Sequence, residues 1–222
     1  MGRLTKQGSS SALRRALFPH GFAGEAMNLI HETWQALTMH RAVRHEEPIT
    51  ALLADQLVNE YEKRGWPWFI IPEVPVTDAT FGTQLGRTDI RFFHRNFRQR
   101  VYFVVECKRL HVRTNSGFKH LADEYVDEGL LRFANNRYAE GLPCGGMVGY
   151  VMDNEMDKAL DRVKAEVLQK LPLLKMKNAN DLRCPSVVLQ GRVHSADTVH
   201  QRTSGKFLVH HLLVGLRREP SR

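Results

Sequence analysis

Cysteine is scarce in this chain. Cys107, Cys144 and Cys184 are the only three, far apart and without a CxxC pair. That excludes a disulfide framework and a cysteine-built zinc site, and it reads as reduced thiols in a reducing compartment. Long apolar runs are also missing, and none approaches the roughly 20 residues of a membrane helix. The N-terminus is basic but has no apolar signal segment, so a cytoplasmic, bacterial setting is expected and no membrane partner. Gly145-Gly146 is not a phosphate loop, because no GK[ST] follows and the glycines open a strand. His194, His200, His210 and His211 crowd the last third, and His200, His210 and His211 make a conceivable metal set. None of these histidines has HExxH spacing, so zinc is not expected. Ser195 lacks the nucleophile-elbow setting of a Ser-His triad. No internal repeat is present.

Basic residues are plentiful. Lys and Arg number 32 against 24 Asp and Glu, giving a formal net charge of +8. A surplus of that size favours a polyanionic partner, nucleic acid first. With 222 residues and 42% hydrophobic content, the chain can bury the core of one domain.

Residues 1–20, rich in Ser, Gly and Arg, read as a flexible basic tail, and residues 21–222 as one domain. A first amphipathic helix is expected over 24–43. A second starts at Glu46-Glu47-Pro48, with Ile49, Leu53 and Leu57 as its buried stripe and Gly65 as its stop. Residues 68–76 carry Pro72 and Pro75, which suits an edge strand. A loop over 77–87 leads to a strand over 86–93. Val101–Val105 is a short β-branched and aromatic run, a buried strand. A polar loop over 109–117 precedes a helical stretch over 118–140. Gly129 in its middle implies close approach to the sheet or a break. A strand over 145–152 and a helix over 155–171 follow. The last third reads as β, with strands at Ser186–Gln190 and Lys206–Gly215 and a turn at Thr203-Ser204-Gly205.

The chemistry concentrates at the end of the buried run, in Glu106-Cys107-Lys108. Side chains alternate faces in a strand, so Glu106 and Lys108 share one face and Cys107 takes the other. A hairpin turn centred on Phe97 and Arg98 puts Asp89 opposite Glu106, with β-carbons roughly 4.5–5.5 Å apart. Two carboxylates that close repel unless a cation sits between them. Oxygen donors suit Mg²⁺, with Mn²⁺ as a substitute.

Asp89 followed by Glu106-x-Lys108 after an apolar strand resembles the PD-(D/E)xK nuclease superfamily, with Thr88 where a proline often stands. The resemblance implies a restriction-endonuclease-like α/β fold: an αβββαβ core, over about 46–171, with a central mixed sheet flanked by helices, plus N-terminal helices and a C-terminal β extension. It implies a metal-dependent endonuclease acting on DNA, with RNA left open, in restriction or phage defence. Asp89, Glu106 and Lys108 would be catalytic. Asp89 and Glu106 would hold the metal, joined by the Cys107 backbone carbonyl and by an acidic residue ahead of Ile49-Thr50-Ala51-Leu52-Leu53. Glu46 shares the inward face and Glu47 is better placed as a cap; helix-dipole electrostatics is an equal reading of both. Gln84 and Arg87 in the preceding loop, and Lys119, Arg132 and Arg137 in the following helix, are candidate phosphate contacts; a solvated face is the plain alternative for each. A homodimer or a targeting partner is compatible with the pattern. The competing readings are a catalytically silent nucleic-acid-binding module and an assembly subunit in which Glu106 and Lys108 form a buried ion pair.

Overall fold

The computed structural model describes residues 7–40, 42–77, 84–94, 101–115 and 117–217. A seven-stranded sheet runs in the order β1-β2-β3-β6-β9-β8-β7. Its strands are β1 (Trp68–Thr77), β2 (Gln84–His94), β3 (Tyr102–Leu110), β6 (Cys144–Val151), β7 (Leu182–Arg183), β8 (Ser195–Arg202) and β9 (Gly205–Gly215). The sheet is mixed: β3, β6 and β9 are parallel, and the other pairs are antiparallel. β1 is the edge, as its prolines require. β6 sits centrally and is buried along its whole length, which explains its uninterrupted apolar sequence.

Helices cover both faces. On one lie α2 (Phe22–Ala36) and α3 (Glu46–Arg64), packed on Phe103, Val105, Cys107 and Tyr150. Trp34 stacks on Tyr150 at 5.0 Å and donates its indole N–H to the Gly215 carbonyl at 2.7 Å. On the other face lie α4 (Ala122–Glu124), a π-helical turn (Tyr125–Leu130), α5 (Leu131–Ala134) and α6 (Met156–Gln169), packed on Val104, Leu110 and Met147. The alternation in β3 therefore falls as expected, with Cys107 facing α2 and α3 and its even-numbered neighbours facing the π-turn.

Several expectations need correction. Residues 7–17 are not a flexible tail but helix α1 (Gln7–Leu17). It is pinned where Arg14 donates to the Glu140 carbonyl at 3.2 Å and Arg15 to the Lys206 carbonyl at 2.9 Å; residues 1–6 lie outside the described residues. The first long helix stops at Ala36 rather than 43. The 109–117 loop contains β4 (Val112–Thr114), which pairs with β5 (Gly117–Lys119) as a separate ribbon. The following helix is thus confined to 122–134. Its Gly129 does mark close approach: a β-carbon there would collide with the Met147 methyl. Ser186–Gln190 is a run of turns, not a strand. It forms the docking loop of a buried pair, Asp197 with His210 at 2.7 Å, and Val187 N–H donates to Asp197 at 2.8 Å.

His200 and His211 belong to one buried hydrogen-bonded chain. The Tyr125 hydroxyl meets His211 Nδ1 at 2.9 Å, His211 Nε2 meets Thr198 Oγ1 at 2.9 Å, Thr198 Oγ1 meets His200 Nε2 at 2.8 Å, and His200 Nδ1 donates to the Leu174 carbonyl at 2.7 Å. Because the terminal carbonyl only accepts, His200 Nδ1 carries a proton, and a neutral His200 then passes one donor direction along the chain, from Tyr125 through His211 and Thr198 to His200 Nε2. Burial pulls His200 down to about 4 and His211 down to about 3. Both ring nitrogens of His200 and of His211 are thus engaged in protein hydrogen bonds, and His210 Nδ1 is engaged with Asp197.

Candidate active site

β2 and β3 pair in the register Ile90↔Val105 and Phe92↔Phe103. This is the register of a turn centred on Phe97 and Arg98, although 95–100 lie outside the described residues. One further step sets Asp89 across from Glu106, and there the ladder ends. The Asp89 carboxylate takes over the pairing, with Cys107 N–H donating to Oδ2 at 2.6 Å. A gap between two strands is thereby lined with carboxylate rather than closed by backbone.

Glu106 is 1% exposed. Its Oε1 accepts from Arg132 Nη1 at 2.6 Å and lies 3.4 Å from Lys108 Nζ. Its Oε2 is buried with no hydrogen-bond partner. Lys108 Nζ donates to Glu46 Oε1 at 2.8 Å, and Arg109 N–H to Glu46 Oε2 at 2.9 Å. Glu46 opens α3, so the helix start reaches round the end of β3 and joins the site. Glu47 follows Glu46 in the first turn of α3. It lines the adjoining cleft, of about 270 Å³, with Glu46, Thr50, Asp55, Glu73 and Asp89.

The electrostatics follow from burial and crowding. Burial, and next the Asp89 charge, pushes Glu106 up to about 8 against the pull of Lys108 and Arg132. Burial lifts Asp89 to about 6, opposed by the Cys107 N–H. Burial alone would lower Lys108, but Glu106, Glu46 and Asp89 together hold it above the ordinary lysine value. Lys108 is therefore a fixed cation at neutral pH.

The expected phosphate contacts separate. Arg132 turns inward onto Glu106. A π-turn acts as a one-residue insertion, which rotates the residues after it by about 100° relative to an unbroken helix; this carries Arg132 to the sheet. Gln84 and Arg87 belong to β2 rather than to a loop. Both are exposed; Arg87 pairs with Glu73 at 2.5 Å and Gln84 folds back on the Gly86 carbonyl at 3.4 Å. Arg137 is exposed beside Gly86, where a β-carbon would come within 3.1 Å of its guanidinium. Lys119 is exposed on β5, away from the helix assigned to it.

Tyr138 is a site residue that periodicity concealed. Read as part of an apolar face, it donates its hydroxyl to the Arg87 carbonyl at 2.6 Å and accepts from Arg132 at 3.0 Å. Glu73 was missed as well, because a lone acid between Pro72 and Val74 carries no motif.

A divalent ion fits the donor chemistry. The set is all oxygen, and one buried carboxylate oxygen of Glu106 has no partner. Among the described residues no three His, Cys, Asp or Glu side chains are already gathered closely enough to hold an ion; Lys108 bridges Glu46 and Glu106, and Arg132 also pairs with Glu106. No described helix is long and apolar enough to cross a membrane. Comparison with protein-family models, curated proteins and solved structures finds no significant match to the chain.

Proposed function

We propose that this chain is a metal-dependent nuclease of the PD-(D/E)xK kind, hydrolysing phosphodiester bonds of DNA in restriction or phage defence. The carrying observation is the unpartnered, buried Glu106 oxygen in a gap between strands, with Asp89 across the gap and Lys108 beside it. The element order α3-β1-β2-β3-helix-β6 agrees with an αβββαβ core of the restriction-endonuclease-like type. Asp89, Glu106 and Glu46, with the Cys107 carbonyl, would hold Mg²⁺ or Mn²⁺. When bound, the ion polarises the phosphate and lowers the pKa of a coordinated water.

The protein's own groups supply the rest. Lys108, held protonated, is suited to stabilising charge that builds on the phosphate and to orienting the water, not to removing its proton. Arg132 fixes Glu106 in one rotamer and is fixed in turn by Tyr138. For the substrate, β4 and β5 present exposed Arg113, Phe118 and Lys119 directly after β3. The base of that ribbon is tied down where His111 Nδ1 meets both Asp153 oxygens at 3.1 Å. Cations with an exposed ring suit a nucleic-acid backbone and its bases.

A second reading, a silent binding or assembly subunit, draws on the pairing of Glu106 with Arg132 and of Glu46 with Lys108. Incubation with linear, circular and single-stranded DNA, and with RNA, in Mg²⁺, Mn²⁺ or EDTA separates the two. Cleavage that needs the metal and vanishes in Lys108→Ala supports the nuclease. Equal cutting by Lys108→Ala removes the site assignment, and no cutting of any substrate favours the second reading.

A further inference from the structure

Eleven buried side-chain nitrogen and oxygen atoms among the described residues lack a hydrogen-bond partner, and five of them surround one hairpin tip. They are Arg15 Nε and Nη2, Asn136 Oδ1, Arg202 Nε and Ser204 Oγ. β8 and β9 turn there, with Arg202 paired to Gly205 across Thr203-Ser204. Directly paired residues share a face of the sheet. Arg15 of α1 lies over that face, since a β-carbon at Gly205 would sit 3.7 Å from its Cζ. Two guanidiniums thus lie on the same side of this hairpin end, close enough for Arg15 to repel Arg202. Asn136 joins them through Thr203 Oγ1, at 3.5 Å.

Arg202 is 5% exposed and lies over the Phe207 ring, 3.2 Å from its centre. Its Nη1 and Nη2 donate to the carbonyls of Ala139 at 3.1 Å and Tyr138 at 3.2 Å. Arg15 Nη1 donates to the Lys206 carbonyl at 2.9 Å. All these bonds go to main-chain carbonyls, so none of them neutralises the two charges. Burial, and then repulsion from Arg15, lowers Arg202 to about 9. Arg202 is buried and Arg15 half-buried, and the Glu140 carboxylate offsets their repulsion only in part, so the pair remains costly unless a further anion compensates it.

The free atoms say which anion. Nε–H and Nη2 make up one edge of a guanidinium, the edge that takes two oxygens of one oxyanion side by side. On Arg15 that whole edge is free. Arg202 Nε–H and the Ser204 hydroxyl are further donors at the same tip. Turning over the Asn136 amide gives the Thr203 hydroxyl an acceptor and adds an N–H₂. We propose that Arg15, Arg202 and Ser204 form a binding site for a phosphate group, separate from the carboxylate centre and independent of any metal there. The phosphate is either free or part of a nucleotide chain. Tyr138 spans the distance to the carboxylates, bonding Arg202 through its carbonyl and Arg132 through its hydroxyl.

The test uses the whole protein in EDTA, so that it stands or falls apart from the nuclease reading. Melting temperature and titration calorimetry are followed with sodium phosphate against sodium chloride of equal ionic strength, and with a short oligonucleotide lacking a terminal phosphate. Arg15→Gln and Arg15→Lys are the variants; α1 is peripheral, and circular dichroism confirms that they fold. Phosphate is expected to stabilise the wild type, and both variants to lose about tenfold or more in affinity, because lysine restores the charge but not the paired donors. Stabilisation by the oligonucleotide alone, lost in both variants, also supports the site and names a chain phosphate as the ligand. No specific stabilisation by either ligand, or stabilisation that Arg15→Gln retains, overturns it.

Discussion

Replacing Glu106 by Gln should stabilise the metal-free protein while removing its activity. Glu106 ionises only near pH 8 in the fold, against an ordinary value of 4.5. A carboxyl whose folded value is raised contributes stability that is complete below 4.5 and is lost as pH climbs to about 8. Each pH unit in that window is worth about 1.4 kcal/mol. At pH 7 the wild type has therefore given up on the order of 3 kcal/mol, which the non-ionising glutamine retains. Its amide oxygen can still accept from Arg132 and Lys108, and its volume is unchanged. For a domain of this size the gain corresponds to about 6–12 °C in melting temperature. The assay is thermal unfolding of both proteins in EDTA at pH 5, 7 and 8, then at pH 8 with Mg²⁺. The gap should be small at pH 5 and widen with pH, and Mg²⁺ should raise only the wild type. A Gln variant that is less stable by the same amount at every pH would show that Glu106 is ionised throughout and that its ion pairs stabilise the fold. The reasoning would then be wrong.

Other expectations follow from the same contacts. If the proposed Mg²⁺ is held by Asp89 and Glu106 it must displace their protons, so its affinity should rise from pH 6 to pH 8, measured by calorimetry; a flat profile would mean that these acids are not its ligands. Gly129→Ala should destabilise the protein by about 1–3 kcal/mol in denaturant unfolding, because the new methyl collides with Met147. Tyr138→Phe should lose about 1 kcal/mol by the same method, as the Arg87 carbonyl and Arg132 lose a shared partner. Cleavage by Tyr138→Phe should weaken rather than vanish, since the tyrosine positions Arg132 and touches no carboxylate. Arg132→Met should depress cleavage more strongly; a variant as active as wild type would make the Arg132–Glu106 pair dispensable.

Much of the architecture was legible because it is local. Alternation placed Glu106 and Lys108 on one side of β3 and Cys107 on the other. The spacing through 95–100 set the register that faces Asp89 with Glu106, and Pro48 and Gly65 bounded α3. Failures came where a residue's setting is decided from a distance. Ser186–Gln190 has the composition of a strand, yet it is drawn into turns by the buried Asp197–His210 pair. The 109–121 stretch was divided wrongly because the β4–β5 ribbon makes few apolar contacts to mark it.

By itself, then, the order of residues determined the strand that carries Glu106 and Lys108, the facing of its side chains and the excess of positive charge, since each depends on neighbours in the chain or on a simple sum. Tertiary structure alone decided which of Glu46 and Glu47 reaches Lys108, that Arg132 meets Glu106 rather than solvent, and that Arg15 comes close to Arg202. Those pairings join residues 26 to 187 positions apart, and packing, not periodicity, sets them: a helix start rounding a strand end, a π-turn changing a helix's phase, and an N-terminal helix closing on a distant hairpin.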